Sequence, residues 1–223
     1  KELNIVKNLV TGRIRFAEFA ITNSCIAKCS FCDIWKQRPK VFADREGALQ
    51  VIDNLADMGV SHITLTGGEP LLHPSIVEFV EKCTSRSVHC SVLDAAPSLL
   101  KPDKLAQLEA AGCDMISISF DSDDPDVLEE SRKVPNIMRD MEAAVRMIRP
   151  MRIKTMASVL IWNRNHDRLE QVFDKAMEMG FDLISVNYPT FSQSVIYPLG
   201  GEGISLPREE VATALEKVLE LKQ

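Results

Sequence analysis

The apolar residues of the chain fall into short runs that alternate with longer amphipathic stretches. Three segments share one layout, in which a helical pattern ends at a glycine and an isoleucine within a β-type run follows four residues later. They are LADMGVSHITL (55–65), LEAAGCDMISI (108–118) and AMEMGFDLISV (176–186). Glycine just past a helix end adopts the left-handed conformation at low cost, and mostly apolar strands are typical of buried parallel sheets. The repeated unit therefore predicts a βα architecture.

The same patterns predict the positions of six strands and six helices. The strands are predicted at 16–22, 62–66, 88–93, 115–120, 153–160 and 183–187. The helices are predicted near 44–58, 74–83, 101–111, 135–149 and 166–179, with one more from 207 onward. Because a complete barrel of ~250 residues needs eight βα units, six units predict an α/β fold of the partial (β/α)6 TIM-like barrel type, with parallel strands. A doubly wound sheet is the alternative, and in both folds the site lies at the carboxyl ends of the strands.

Length, charge and cysteine usage narrow the class of protein. The 223 residues predict one domain spanning 1–223, and a start at Lys1 with an end inside a helical pattern suggests a piece of a longer protein. A net charge of −6 without a basic stripe disfavours a nucleic-acid partner. No apolar run approaches the ~20 residues of a membrane span. Six cysteines, three clustered and three scattered, do not resemble a secreted disulfide framework, so we expect a cytoplasmic protein.

The clustered cysteines lie in CIAKCSFC, directly after the first predicted strand. Cys25, Cys29 and Cys32 supply three thiolates, which suit zinc or an iron–sulfur cluster. A structural zinc site needs a fourth cysteine or histidine, and neither His62 nor His73 has that spacing. A ferredoxin-type cluster also takes four cysteines. Three thiolates on a four-iron cluster leave one iron open to a substrate or cofactor.

Three motifs together resemble a known family. CIAKCSFC fits a CxxxCxΦC pattern, LTGGEP (65–70) ends the second predicted strand, and ISISFDS (116–122) ends the fourth. In this order the motifs resemble the radical S-adenosylmethionine (AdoMet, SAM) superfamily, in particular its MoaA/SPASM-like branch. The resemblance implies a radical SAM core spanning nearly the whole chain.

The resemblance also implies which residues bind the cofactors. Cys25, Cys29 and Cys32 would ligate three irons of a [4Fe–4S] cluster, and the amino and carboxylate groups of AdoMet would chelate the fourth. The GGEP turn would hold the methionyl ammonium, Ser119 and Asp121 would face the ribose or carboxylate, and Phe31 would pack near the adenine. The residues implied to contact AdoMet are therefore Phe31, Gly67, Gly68, Glu69, Pro70, Ser119, Asp121 and Asn163.

In such enzymes the reduced cluster cleaves AdoMet to a 5′-deoxyadenosyl radical, which abstracts hydrogen from an organic substrate. The substrate implied here is a small molecule, a lipid or a peptide, and the implied electron donor is a carrier such as flavodoxin or ferredoxin. The enzyme would be oxygen-sensitive. Two alternatives remain: an iron–sulfur electron-transfer or sensor module without catalysis of its own, and a zinc-stabilised binding domain.

Four features depart from the family or leave its pattern undecided. The third strand lacks the usual TNG-type segment and has VLDAAPSLL (92–100), in which Asp94 is the candidate replacement. Arg132 aligns with an arginine frequent after the fourth strand and fits a surface ion pair equally well. Trp162 lies either at the pocket rim or in the core. The apolar segment 187–201 forms either a substrate wall or a packing surface.

Overall fold

In a computed structural model, which describes residue 1 and residues 15–188 and 206–221, six strands form one sheet. The strands are β1 (Phe16–Thr22), β2 (His62–Gly67), β3 (His89–Asp94), β4 (Met115–Ser119), β5 (Lys154–Leu160) and β6 (Leu183–Asn187). They follow one another in chain order, and each neighbouring pair is parallel. A doubly wound sheet reverses its strand order at a switch point. The partial-barrel prediction is therefore confirmed, and the doubly wound alternative is wrong.

Seven α-helices in the described residues connect and follow the strands. They are α1 (Arg45–Asp57), α2 (Ile76–Ser85), α3 (Pro102–Ala110), α4 (Pro125–Arg132), α5 (Ile137–Ile148), α6 (Leu169–Met179) and α7 (Arg208–Leu221). The six predicted helices lie within a few residues of their observed positions. The glycines of the repeated unit have the expected left-handed backbone, with φ of 89° at Gly59, 84° at Gly112 and 92° at Gly180.

The helix α4 is absent from the predicted elements. Its sequence, PDVLEESR, has apolar residues only at the adjacent positions Val127 and Leu128, so it lacks the 3.6-residue period of an amphipathic helix. Its start signal is local: the Asp124 side chain accepts a hydrogen bond from the backbone N–H of Asp126, and Pro125 occupies the first helical turn. The helix matters for the site because its last residue is Arg132.

The core lies between the sheet and the helices and leaves the polar groups at one end of the strands. Apolar strand residues such as Ile63, Leu65, Ile116 and Ile118 are completely buried. The loops after β1, β2, β3 and β4 then meet at the carboxyl ends of the strands, where a partial barrel places its site. Of the apolar segment 187–201, residues 189–201 lie outside the described residues. Among the helices that are described, none combines the length and apolarity needed to cross a membrane.

Candidate functional site

The loop that follows β1 carries the three clustered cysteines at the edge of this end of the sheet. All three are free thiols; Cys29 is buried, and Cys25 and Cys32 are partly buried. The C-terminus of α4 anchors the loop through two backbone hydrogen bonds, from Lys28 N–H to the Arg132 carbonyl (3.1 Å) and from Ser30 N–H to the Ser131 carbonyl (2.8 Å). The loop is thus fixed by the helix that the hydrophobic pattern does not predict.

Burial is the main influence on the three thiols. It raises the pKa of Cys25 to about 12, with the charge of Glu69 adding to the effect. It also raises the pKa values of Cys29 and Cys32, and in both cases the positive charge of Arg132 opposes the rise. The cluster-free thiols are therefore protonated at neutral pH, and binding of a metal to the thiolates must release protons.

The GGEP turn after β2 packs directly on the base of the cysteine loop. The N–H of Gly68 donates to the Thr22 carbonyl and the N–H of Glu69 to the Ser24 carbonyl, each at 2.7 Å. A Cβ atom on Gly67 would lie 2.2 Å from the Thr22 oxygen, and one on Gly68 would lie 2.2 Å from the Ser24 oxygen. Only glycine lets the two backbones approach this closely, which joins the two motifs into one site.

The carboxyl groups of Glu69 and Asp94 lie together beneath this turn, both completely buried. Glu69 accepts hydrogen bonds from the N–H groups of Leu71 (3.0 Å) and Ala95 (2.9 Å). Asp94 accepts one from Ala96 (2.9 Å), while its Oδ2 atom is buried with no hydrogen-bond partner among the described residues. Burial, strengthened by the charge of Asp94, raises the pKa of Glu69 well above its usual range, and burial raises the pKa of Asp94 to about 7.

We expect Asp94→Asn to change how stability depends on pH. A carboxyl whose folded pKa is raised contributes stability that is full below its unfolded pKa of 3.8 and is lost as pH rises through about 7. Relative to wild type, the Asn variant should therefore gain up to ~1.4 kcal/mol of unfolding free energy per pH unit across this window. Urea denaturation of the cluster-free protein between pH 5 and 8 measures the difference.

The exposed residue Asp167 provides the control for that experiment. Asp167→Asn makes the same chemical change at an exposed carboxyl, so it separates the effect of the buried position of Asp94 from that of the substitution itself. If the Asp94→Asn and wild-type curves run parallel, burial does not penalise the ionisation of Asp94.

Asp121 follows β4 and joins the cysteine loop to the far side of the site. Its Oδ2 atom forms a buried ion pair with Arg132, and its Oδ1 atom accepts a hydrogen bond from Leu160 N–H at 2.9 Å. The guanidinium of Arg132 lies over the Phe31 ring, 5.5 Å from its centroid, and Phe31 packs against Trp162 with 5.9 Å between ring centroids.

The hypothesis of a surface ion pair at Arg132 is wrong, because only 6% of Arg132 is exposed. Trp162 belongs to the core.

The remaining residues implied to contact AdoMet are less closely connected. Ser119 is half-buried at the end of β4, Pro70 is buried and begins the short 3-10 helix Pro70–Leu72, and Asn163 is exposed. The asparagine that organises this loop is Asn165, whose Nδ2 donates to the carbonyls of Asp121 and Leu160, each at 2.8 Å. Contacts of all these side chains with AdoMet stay predictions.

The residues present fit the cofactors that the motifs imply. The donor set consists of three thiols on one loop with a cation beside them, which suits iron or another thiophilic metal. The described residues contain no three His, Cys, Asp or Glu side chains spaced to hold a single metal ion. A cluster differs from a single ion because each thiolate binds its own iron. The unpartnered Oδ2 of Asp94, close to the Glu69 carboxyl, is a buried acceptor of the kind that an ammonium group satisfies.

Fold and site together define a cofactor-dependent α/β enzyme core, with thiols and a glycine-rich turn at the carboxyl end of a partial parallel barrel. The chain belongs to the Radical SAM superfamily, whose sequence profile matches residues 19–176, and the family predicted from the motifs is confirmed. Members of this superfamily use a [4Fe–4S] cluster and AdoMet.

Two curated relatives and one solved structure illustrate the similarity. The chain is 25% identical over 186 residues to the GTP 3′,8-cyclase of Alkaliphilus oremlandii, covering 80% of this chain and 57% of that protein. It is 24% identical over 173 residues to the PqqA peptide cyclase of Gluconobacter oxydans, covering 77% and 48%. The crystal structure of Streptococcus suis SuiB superposes with a TM-score of 0.75 at 15% identity, covering 99% of this chain and 50% of SuiB. The chain thus spans about half the length of the proteins that it matches.

Proposed function

We propose that this chain is the catalytic core of a radical SAM enzyme that generates a 5′-deoxyadenosyl radical. The observation that carries the proposal is the pair of 2.7 Å backbone hydrogen bonds that join the GGEP turn to the cysteine loop. They would hold the turn proposed to bind the amino acid part of AdoMet beside the cysteine loop, where a four-iron cluster would have one iron without a cysteine ligand. An electron carrier has no use for such an open position.

In this site Cys25, Cys29 and Cys32 hold the cluster, and the GGEP turn with Glu69 receives the methionyl ammonium. When bound, the reduced cluster supplies the electron that cleaves AdoMet to methionine and the radical, which takes hydrogen from the substrate. The protein orients the cofactor and excludes water: Phe31, at 7% exposure, closes one side of the cysteine loop, and Glu69 is fully buried.

The substrate class proposed is an organic small molecule, a lipid or a peptide. The relatives include a GTP cyclase and a PqqA peptide cyclase, and one solved structure is SuiB bound to the precursor peptide SuiA. These names support the small-molecule and peptide classes and do not choose between them. A flavodoxin or ferredoxin is proposed as electron donor, and the free thiols favour a reducing, cytoplasmic location.

Anaerobic reconstitution tests the proposal. We expect about four irons per chain, a change in the EPR spectrum of the reduced cluster on addition of AdoMet, and 5′-deoxyadenosine when dithionite and AdoMet are present. An intact cluster that cleaves no AdoMet with any reductant would favour the electron-transfer or sensor alternative. One zinc and no iron in anaerobically purified protein would favour the zinc-stabilised binding domain.

A further inference from the structure

The side chain of Arg132 is buried against the central cysteine of the loop. Its Nη1 atom lies 4.0 Å from the Cys29 Sγ atom, and its Nη2 atom pairs with Asp121. The Nε atom is buried with no hydrogen-bond partner among the described residues. A buried ion pair usually stabilises a fold no better than apolar side chains of similar volume. Packing alone therefore does not account for a charge at this position.

Contacts with Asp121 and Phe31 fix the position of the guanidinium. Asp121 holds one edge, and Asp121 is itself held by the N–H of Leu160. Trp162 supports Phe31 from behind, and the Phe31 ring lies under the guanidinium. The backbone carbonyl of Arg132 also accepts the hydrogen bond from Lys28 in the cysteine loop. This last contact does not depend on the side chain, so a substitution at 132 leaves the loop anchored.

The Arg132–Asp121 ion pair exerts an electrostatic effect on the clustered thiols because its cation contacts Cys29. The Nη1 atom of the guanidinium lies 4.0 Å from the Cys29 sulfur, while Asp121 pairs with its Nη2 atom. Buried charges are weakly screened by salt and water. The Cys29 sulfur therefore lies beside a buried positive charge, whose effect is reduced by the anion paired with it.

We propose that Arg132, positioned by Asp121, raises the reduction potential of the cluster by placing a buried positive charge 4.0 Å from the Cys29 sulfur. This inference rests on the cluster proposed above. Reduction transfers one electron from the external donor, a low-potential one-electron carrier or dithionite, and adds one negative charge to the cluster. Arg132 stabilises that charge and Asp121 opposes it. Net charge and contacts to the sulfurs are among the properties that set iron–sulfur potentials.

An EPR-monitored redox titration of the reconstituted protein without AdoMet tests this role. Arg132→Met should lower the midpoint potential, giving about tenfold less reduced cluster at a fixed ambient potential, which is ~59 mV for a one-electron couple. Asp121→Asn should shift the midpoint in the opposite direction, because it removes the anion and leaves the cation. Arg132→Lys should keep most of the wild-type potential.

The matched control is Arg164→Met. Arg164 also lies over an aromatic ring, 5.9 Å from the centroid of Trp162, and also pairs with a carboxylate, Glu130. Its side chain is 40% exposed, so water screens its charge and its removal should leave the potential unchanged.

Several outcomes would overturn the proposal. Unchanged potentials in both Arg132→Met and Asp121→Asn, with iron content intact, would make the pair structural. AdoMet cleavage by the wild-type protein would in that case leave the proposed function standing. Shifts of the same sign in both variants would indicate altered solvent access rather than charge. If Arg132→Met binds no cluster, Asp121→Asn and Arg132→Lys decide the question. A wild-type protein that assembles no cluster would refute the proposed function itself.

Discussion

Replacing Cys29 with alanine is expected to leave the protein without its iron–sulfur cluster. Cys29 is the most buried of the three clustered cysteines, at 8% exposure, so water or buffer thiols cannot readily take the place of its sulfur. Removing a residue that hydrogen-bonds to a metal ligand lowers metal affinity roughly 10–100-fold, and removing the ligand itself should lower it further. Iron and sulfide content after anaerobic reconstitution, together with 5′-deoxyadenosine formation, measures the result.

Cys113→Ala is the control for this change. Cys113 is a buried free thiol that precedes β4, at the amino ends of the strands and therefore opposite the cysteine loop. Its removal leaves a small cavity and costs some stability, but the iron content should stay at that of wild type. A Cys29→Ala protein that keeps a full set of irons would show that Cys29 is not a ligand.

The connection between the two motifs explains why sequence alone is so informative about this site. The cysteine spacing and the GGEP turn are local patterns, and each follows directly on a strand whose apolar run predicts it. In the parallel register, Ala20 of β1 pairs with Thr66 of β2. The loops that follow these two positions therefore start side by side. Once the strands are predicted in order, the meeting of the two loops follows.

The residues that the sequence does not reveal are those whose role depends on distant partners. Arg132 ends a helix without hydrophobic periodicity, and only the folded chain brings it to Cys29, 103 positions away. Asn163 and Asn165 are two positions apart in the sequence NRN, and nothing in that sequence predicts which of them is buried. In the folded chain Asn165 is buried and Asn163 is exposed. In the sequence, Asp94 marks only the absence of the TNG-type segment. The structure shows that its carboxyl group lies beside that of Glu69.

The buried acids and the buried arginine have one physical consequence in common. Glu69 and Asp94 place two buried carboxyl groups beneath the turn proposed to bind the methionyl ammonium, which would stabilise their ionised forms. Arg132 places positive charge beside the thiolates that would carry the negative charge of the cluster. Each half of the site is thus complementary to the ligand proposed for it, and a preorganised arrangement of this kind costs no reorganisation when the ligand binds.

Gly68→Ala is expected to weaken AdoMet binding strongly while leaving the cysteines in place. The added Cβ would lie 2.2 Å from the Ser24 carbonyl oxygen and 2.7 Å from its carbon, and both are backbone atoms that no side-chain rotation can move away. Relief of the clash requires the GGEP turn to move off the cysteine loop, which breaks the 2.7 Å bond from Glu69 N–H to Ser24. The dissociation constant of AdoMet, measured by EPR titration of the reduced cluster, should rise about tenfold or more, equivalent to at least ~1.4 kcal/mol.

Gly47→Ala tests whether the effect belongs to the contact rather than to glycine replacement in general. Gly47 lies exposed in the first turn of α1, and a Cβ there would approach nothing closer than the Asp44 Oδ2 atom at 3.5 Å. Alanine favours a helix over glycine by up to ~1 kcal/mol, so this variant should be as stable as wild type or more so, with unchanged AdoMet affinity. If Gly68→Ala binds AdoMet as tightly as Gly47→Ala does, the close approach of the two loops is not required for the site. A Gly68→Ala protein with a full set of irons and weak AdoMet binding would instead show that the cysteine loop holds the cluster and that the turn binds AdoMet. In that variant only the loop would keep its ligand.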